Sequence, residues 1–185
     1  MIKYFIAAAL LAGTAVSASA QDASPDGSRP FGIEPYVGVM GGYHSFDRQS
    51  EFGSAGRYGK PNGALIEGLA GVNVPLGAVF VGVEGNAAKG FNDIDWEYGV
   101  RGRAGFRAGT SGLLYASAGY QWVNAKSSRG FSDQKAWVWG GGVEVGPKDI
   151  GLGGITDSAG PRLRLSIETY DFDSVRPMVG VIFHF

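Results

Sequence analysis

Cysteine is absent from the 185-residue chain. No disulfide can staple the fold, and thiolate metal and redox sites are excluded. Histidine is nearly absent too: His44 and His184 stand far apart, and two such ligands do not make a zinc-type centre. No metal, no cofactor and no catalytic residue is therefore expected. An excess of positive charge is also missing. Sixteen Lys and Arg face seventeen Asp and Glu, a formal charge of −1, which argues against nucleic acid as a partner. After the first twenty residues, no apolar run reaches the roughly 20 residues that a membrane-spanning helix needs.

Other features are abundant. Met1-Ile2-Lys3 is followed by an apolar run over 4–16 and by Ala18-Ser19-Ala20. A positive start, a short apolar core and an A-x-A site are the parts of a secretory signal peptide, with cleavage expected after Ala20. Residues 21–32 are rich in Ser, Pro, Asp and Gly and are expected to form a flexible leader. Glycine is plentiful at 32 residues, but aromatics make up 12% of the chain. Disordered chains are poor in such residues, so 33–185 is expected to fold.

The dominant pattern is a period of two, the period of a strand. It is clearest over 96–107. Trp96, Tyr98, Val100, Gly102, Ala104 and Phe106 share one face there, and Glu97, Gly99, Arg101, Arg103, Gly105 and Arg107 the other. Similar alternation runs over 34–46, 64–74, 78–87, 113–123, 135–145, 161–170 and 175–185, eight segments in all. Longer polar connections are expected at 47–63, 88–95 and 124–134, with a long turn at 146–160 and a short one at 171–174. Strands of about 9–11 residues suit a transmembrane barrel, and a membrane protein without spanning helices has only a closed barrel to satisfy its backbone. The expected fold is all-β, an eight-stranded antiparallel up-and-down transmembrane β-barrel.

Because strand direction alternates, position within a strand gives depth. Tyr43, Trp96, Tyr98, Tyr120, Trp122, Trp137 and Trp139 fall toward one rim on the outward face; Phe106, Phe183 and Phe185 fall toward the other. Two aromatic girdles are expected of a barrel in a bilayer. The opposite face carries five acids, Glu67, Glu84, Glu97, Glu144 and Glu168, and five bases, Arg101, Arg103, Arg107, Arg162 and Arg164. A barrel of eight strands is only wide enough for side chains to fill, so these charges must pair. Arg101 and Arg103 are expected to be held by Glu97, Glu84 and Glu67. Inward glycines, among them Gly38, Gly42, Gly140 and Gly180, are expected to make room for the long Arg and Glu chains.

The final stretch 175–185 ends its outward face on Phe185. With the signal peptide, the strand count and the girdles, it resembles the eight-stranded outer-membrane barrel family: the transmembrane domain of OmpA, OmpX, the opacity proteins and related surface antigens. The resemblance covers 33–185 and is architectural. It implies a bacterial outer-membrane location and recognition of Phe185 by the barrel-assembly machinery. It also implies outer-membrane lipid and lipopolysaccharide as surroundings. The function it implies is non-enzymatic: a structural role in envelope integrity, with outer loops for adhesion or contact with a host or surface ligand. Basic residues in those loops, Arg48, Arg57, Lys60, Lys126, Arg129 and Lys135, are placed to meet lipopolysaccharide phosphates. Two rivals stand beside it. One is a lipid A-modifying enzyme, but the His-x-Ser pair of the deacylases is missing, since His184 precedes only Phe185 and His44 adjoins Ser45 directly. The other is a small low-conductance porin, which conflicts with a filled interior.

Overall fold

A computed structural model describes residues 32–47, 61–109, 111–126, 128, 133–146 and 160–185. The expected signal peptide, nearly all of the leader and most of the 47–63 and 146–160 connections lie outside the described residues, as do Arg48, Arg57, Lys60 and Arg129. The strands are β1 (Glu34–Phe46), β2 (Asn62–Leu76), β3 (Val79–Gly90), β4 (Ile94–Ala108), β5 (Gly112–Ala125), β6 (Gln134–Val145), β7 (Gly160–Tyr170) and β8 (Ser174–His184). Each pairs antiparallel with its sequence neighbour, and β1 pairs with β8 to close the barrel. The shorter strands have 11 residues. At about 3.3 Å per residue and a tilt of about 40°, they rise roughly 28 Å, close to the hydrocarbon thickness of a bilayer.

The alternation read from the sequence sorts the two faces. Val39, Ile66, Val83, Val100, Leu114, Leu165, Ile167 and Val179 are exposed, and they cover every strand but β6, where Trp137 and Trp139 take their place. A soluble monomer does not expose so continuous an apolar surface. Facing hydrocarbon, the same surface is required. The protein is a transmembrane β-barrel.

One expected connection is not a loop. Residues 88–95 contain Ala, Lys and Gly, weak strand formers, yet β3 runs on to Gly90 and β4 resumes at Ile94. Ladder pairing of Ala88, Lys89 and Gly90 with Glu67, Ile66 and Leu65 outweighs their propensity. The hairpin reverses over 91–93, with Asn92 at φ 69, a conformation that asparagine tolerates better than most residues. A register shift between Ile94 and Trp96 follows. It resets the alternation, so that Ile94 is buried while Trp96 faces out.

The inward glycines serve a different purpose from the one expected. Gly38, Gly42 and Gly180 stand opposite Ile182, Met178 and Met40 across the β1–β8 seam, so each yields space to an apolar side chain. Gly140, opposite Glu168, and Gly119, opposite Arg101, do make room for charged ones. A Cβ on Gly180 would lie 2.6 Å from Met40 Cα, whereas one on the outward Gly68 would meet nothing within 4 Å. Gly180→Ala should therefore destabilise the seam by about 1–3 kcal/mol, while Gly68→Ala should change stability by no more than about 0.5 kcal/mol. Urea midpoints of the two refolded variants check this; equal midpoints would exclude a tight seam.

Candidate functional site: the charged interior

Period two along each strand sends Glu67 (β2), Glu84 (β3), Glu97, Arg101 and Arg103 (β4), Glu144 (β6), Arg162, Arg164 and Glu168 (β7) and Arg176 (β8) into the barrel, where all are buried. Three opposite-charge pairs are direct ladder neighbours: Glu84 with Arg101, Glu144 with Arg164, and Glu168 with Arg176. Their Arg-to-Glu separations are 2.5, 2.8 and 2.7 Å. Further contacts cross the lumen and join the pairs. Arg101 reaches Glu67 at 3.3 Å and also binds Glu168. Arg164 reaches Glu84 at 2.5 Å, and Arg103 spans Glu84 at 3.2 Å and Glu144 at 2.6 Å. Arg176 binds Glu67 and meets Glu97 at 3.1 Å. The rigid guanidinium fork, with five donors, suits such bridging.

Each end of this network finishes on a histidine. Toward the end carrying the 47–61 and 126–133 connections, called outer here, His44 Nδ1 donates to Glu97 over 2.7 Å and its Nε2 faces Ser174 Oγ at 2.9 Å. The Tyr170 hydroxyl donates to the second Glu97 oxygen over 3.1 Å. The imidazole is held between the rings of Phe46 and Tyr170, with centroids 3.9 and 4.4 Å away. At the inner end His184 Nε2 lies 2.7 Å from Glu144 and its ring stacks on Tyr36. The Tyr36 hydroxyl donates to Glu84 over 2.9 Å, and Arg103 lies 3.9 Å from the Tyr115 ring centre.

Several partners differ from those expected. Glu97 does not hold Arg101; it serves His44, Tyr170 and Arg176 instead. Arg107 is separate from the central network. It is half-buried at the inner rim and binds Glu34 across the mouth at 2.5 Å. Arg176, omitted from the expected charge set, is fully buried and contacts three glutamates. Its inward parity was readable from the alternation of β8. The roles of His44, Tyr36 and Tyr170 depend on height matching between distant strands, which carries no local sequence signal.

What can this arrangement do? It neutralises charge inside a barrel too narrow for a channel. Among the described residues no group of three or more His, Cys, Asp or Glu could hold a metal ion.

The expected aromatic positions are all on the outward face, but the outer ones form a sector. Tyr98 stacks on Trp122 at 5.7 Å, Trp122 meets Tyr120 at 5.2 Å, and Tyr120 meets Trp137 at 5.5 Å. Trp139 stacks on Phe172 at 6.2 Å, and the Lys89 ammonium lies 5.0 Å from the Trp96 ring. Tyr43 stands apart on β1, donating to Asn62 over 2.7 Å. At the inner end Phe106, Phe183 and Phe185 are exposed.

No protein-family model matches the sequence, and no curated protein matches it. Among solved structures, the chain is similar to a de novo designed transmembrane β-barrel, with a TM-score of 0.48 and 10% identity over 85% of this chain and 98% of that one. It is similar to Ail, the attachment invasion locus protein of Yersinia pestis, solved with the heparin analogue sucrose octasulfate: TM-score 0.47, 19% identity, 82% of this chain and 99% of that one. It is also similar to Neisserial surface protein A, with a TM-score of 0.47 and 16% identity over 83% of this chain and 99% of that one.

The network predicts which removal costs most. Arg176→Met leaves Glu67, Glu97 and Glu168 each short of a partner, and breaking a buried pair from one side typically costs about 3–5 kcal/mol. Arg107→Met breaks one partly exposed pair at the rim and should cost about 1 kcal/mol or less. Urea titration followed by tryptophan emission measures both; a smaller shift for Arg176→Met than for Arg107→Met would refute the assignment of the centre.

Proposed function

We propose that this transmembrane barrel is a non-enzymatic surface protein of the bacterial outer membrane, contributing to envelope integrity and presenting its outer connections for adhesion or surface contact. The observation that carries this reading is the interior itself. Its buried carboxylates and guanidiniums are spent on one another, leaving a lipid-facing wall around a filled centre. A protein built so is suited to sit in a membrane and display loops. In the same reading its partners are outer-membrane lipid, lipopolysaccharide and the barrel-assembly machinery.

One observation favours a second reading. Ser174, His44 and Glu97 stand in the order nucleophile, base and acid, with hydrogen bonds of 2.9 and 2.7 Å. Such a constellation is recognised by geometry rather than by sequence order. Against it, Ser174 Oγ already accepts the Tyr170 amide at 3.0 Å. All three side chains are buried, and Phe46 and Tyr170 close over the imidazole. The constellation reads better as a clasp that fixes the β7–β8 hairpin to β1 and β4.

Two measurements test the function. Planar-bilayer recordings of purified barrel should show no stable, porin-sized openings; frequent uniform steps would establish a pore. A fluorophosphonate probe should leave Ser174 of the folded barrel unlabelled. Labelling that disappears in His44→Gln would instead establish the enzyme reading.

A further inference from the structure

The β1–β8 seam is not uniform along its length. Its ladder runs unbroken from Tyr36 opposite His184 to Gly42 opposite Met178, then skips two positions and resumes with Ser45 opposite Val175. In the skipped stretch Tyr43 and His44 stand across from Pro177 and Arg176. Proline has no N–H to give to a ladder. The lost bond lies on the seam rather than on the β7 side. A Cβ on Gly42 would collide with the Pro177 carbonyl oxygen, so that carbonyl points at β1. A strand residue aims its N–H and its C=O at the same neighbour. Pairing of Pro177 with Ile167 on β7 is intact.

Beyond the break, the β7–β8 hairpin is held together from within and fixed to β6. The Asp173 amide donates to the Tyr170 carbonyl over 2.8 Å, and the Tyr170 amide to Ser174 Oγ over 3.0 Å. The Asp171 amide donates to the Trp137 carbonyl over 2.9 Å, the Trp137 amide to the Asp171 carboxylate over 3.1 Å, and Phe172 stacks on Trp139. Toward β1 the hairpin has two ladder positions, the Asp47 amide on the Asp173 carbonyl at 2.7 Å, and the His44–Ser174 contact at 2.9 Å. A unit with few bonds on one side opens locally at less cost than the whole fold. We propose that residues 171–175 form a flap hung on β6, which parts from β1 at Pro177 and admits outer solvent to His44, Glu97 and Arg176. All three are fully buried while the flap is closed, so it is the gate to the outer end of the charged interior.

The chain has two histidines, which makes opening measurable at one side chain. Purified, refolded barrel is treated with diethyl pyrocarbonate, and modification of each histidine is followed by mass spectrometry. His44 should be modified in the folded barrel, with His184 at the inner end as the internal reference. Pro177→Val gives the seam its missing donor on an outward position that accepts an apolar side chain. It should slow His44 modification roughly three- to tenfold, the worth of one backbone hydrogen bond, and leave His184 unchanged. Hydrogen exchange should slow in the same variant at the amides of 43–46 and 174–175, and not in β3 or β4. Simple fraying of the rim predicts a His44 rate that ignores residue 177. A His44 that stays unmodified in the folded barrel, or one modified equally fast in Pro177→Val, would overturn the flap.

Discussion

Closure of the sheet between β1 and β8 is the constraint on which the rest of the structure depends. In hydrocarbon an open strand edge leaves amides and carbonyls with no partner, at several kcal/mol each. The β1–β8 ladder, running from Tyr36 opposite His184 to Phe46 opposite Ser174, removes that edge. Its inner face alternates nothing with something: Gly38 against Ile182, Gly42 against Met178, and Met40 against Gly180. Volume is complementary pair by pair, and that lets the first and last strands approach closely enough to bond. Eight strands then fix the bore, and the bore fixes what the inward residues are allowed to be.

A narrow interior holding Arg and Glu must pair them, yet apolar packing of similar volume is often equally stable. The charges contribute something else. Sliding a strand by one residue would send its inward set to the lipid face. For β4 that would turn Arg101 and Arg103 into hydrocarbon, at about 2–4 kcal/mol each near the midplane. The network thus penalises wrong registers more heavily than it stabilises the right one. It also blocks the path that its two end histidines suggest. Polar contacts run from His44 through Glu97, Arg176, Glu168, Arg101, Glu84, Arg164 and Glu144 to His184. Guanidinium groups do not release protons in proteins, so the chain is continuous in geometry and interrupted for proton transfer.

How much of this was legible in the sequence depends on range. Which way each side chain points follows from a local period of two, and the inward and outward sets of every strand could be read that way, Arg176 included. Partner identity could not. Adjacent-strand pairs such as Glu84 with Arg101 follow once register is known, but Arg176 with Glu97 and Arg164 with Glu84 join strands four apart across the lumen. Their matching heights come from the stagger of the closed barrel, which no single segment encodes. The β3–β4 hairpin was illegible for another reason. Ala88, Lys89 and Gly90 look like a loop by composition, and pairing with β2, joined by β4 at Ala88 and Lys89, makes them strand. The bulge at Ile94 and Trp96 is likewise a response to the tight reversal rather than a property of those two residues.

The exterior is under no such constraint, since any apolar side chain satisfies the lipid. An uneven exterior is therefore informative where an uneven interior would not be. The β7–β8 hairpin bears this out. Asp171 and Phe172 reverse the chain at φ 48 and 63, a left-handed pair for which Asn-Gly is the relaxed solution. A bulky residue in that conformation costs roughly 1–2 kcal/mol. Glycine at position 172 would relieve the strain but would remove the ring that stacks on Trp139. Phe172 is also the most exposed large apolar side chain among the described residues, at 74%. The turn thus carries the aromatic surface of β6 onto the neighbouring hairpin at the expense of its own backbone. Strain of this kind persists where the surroundings hold it, and here the stacking of Phe172 on Trp139 and the bond from the Asp171 amide to the Trp137 carbonyl do so.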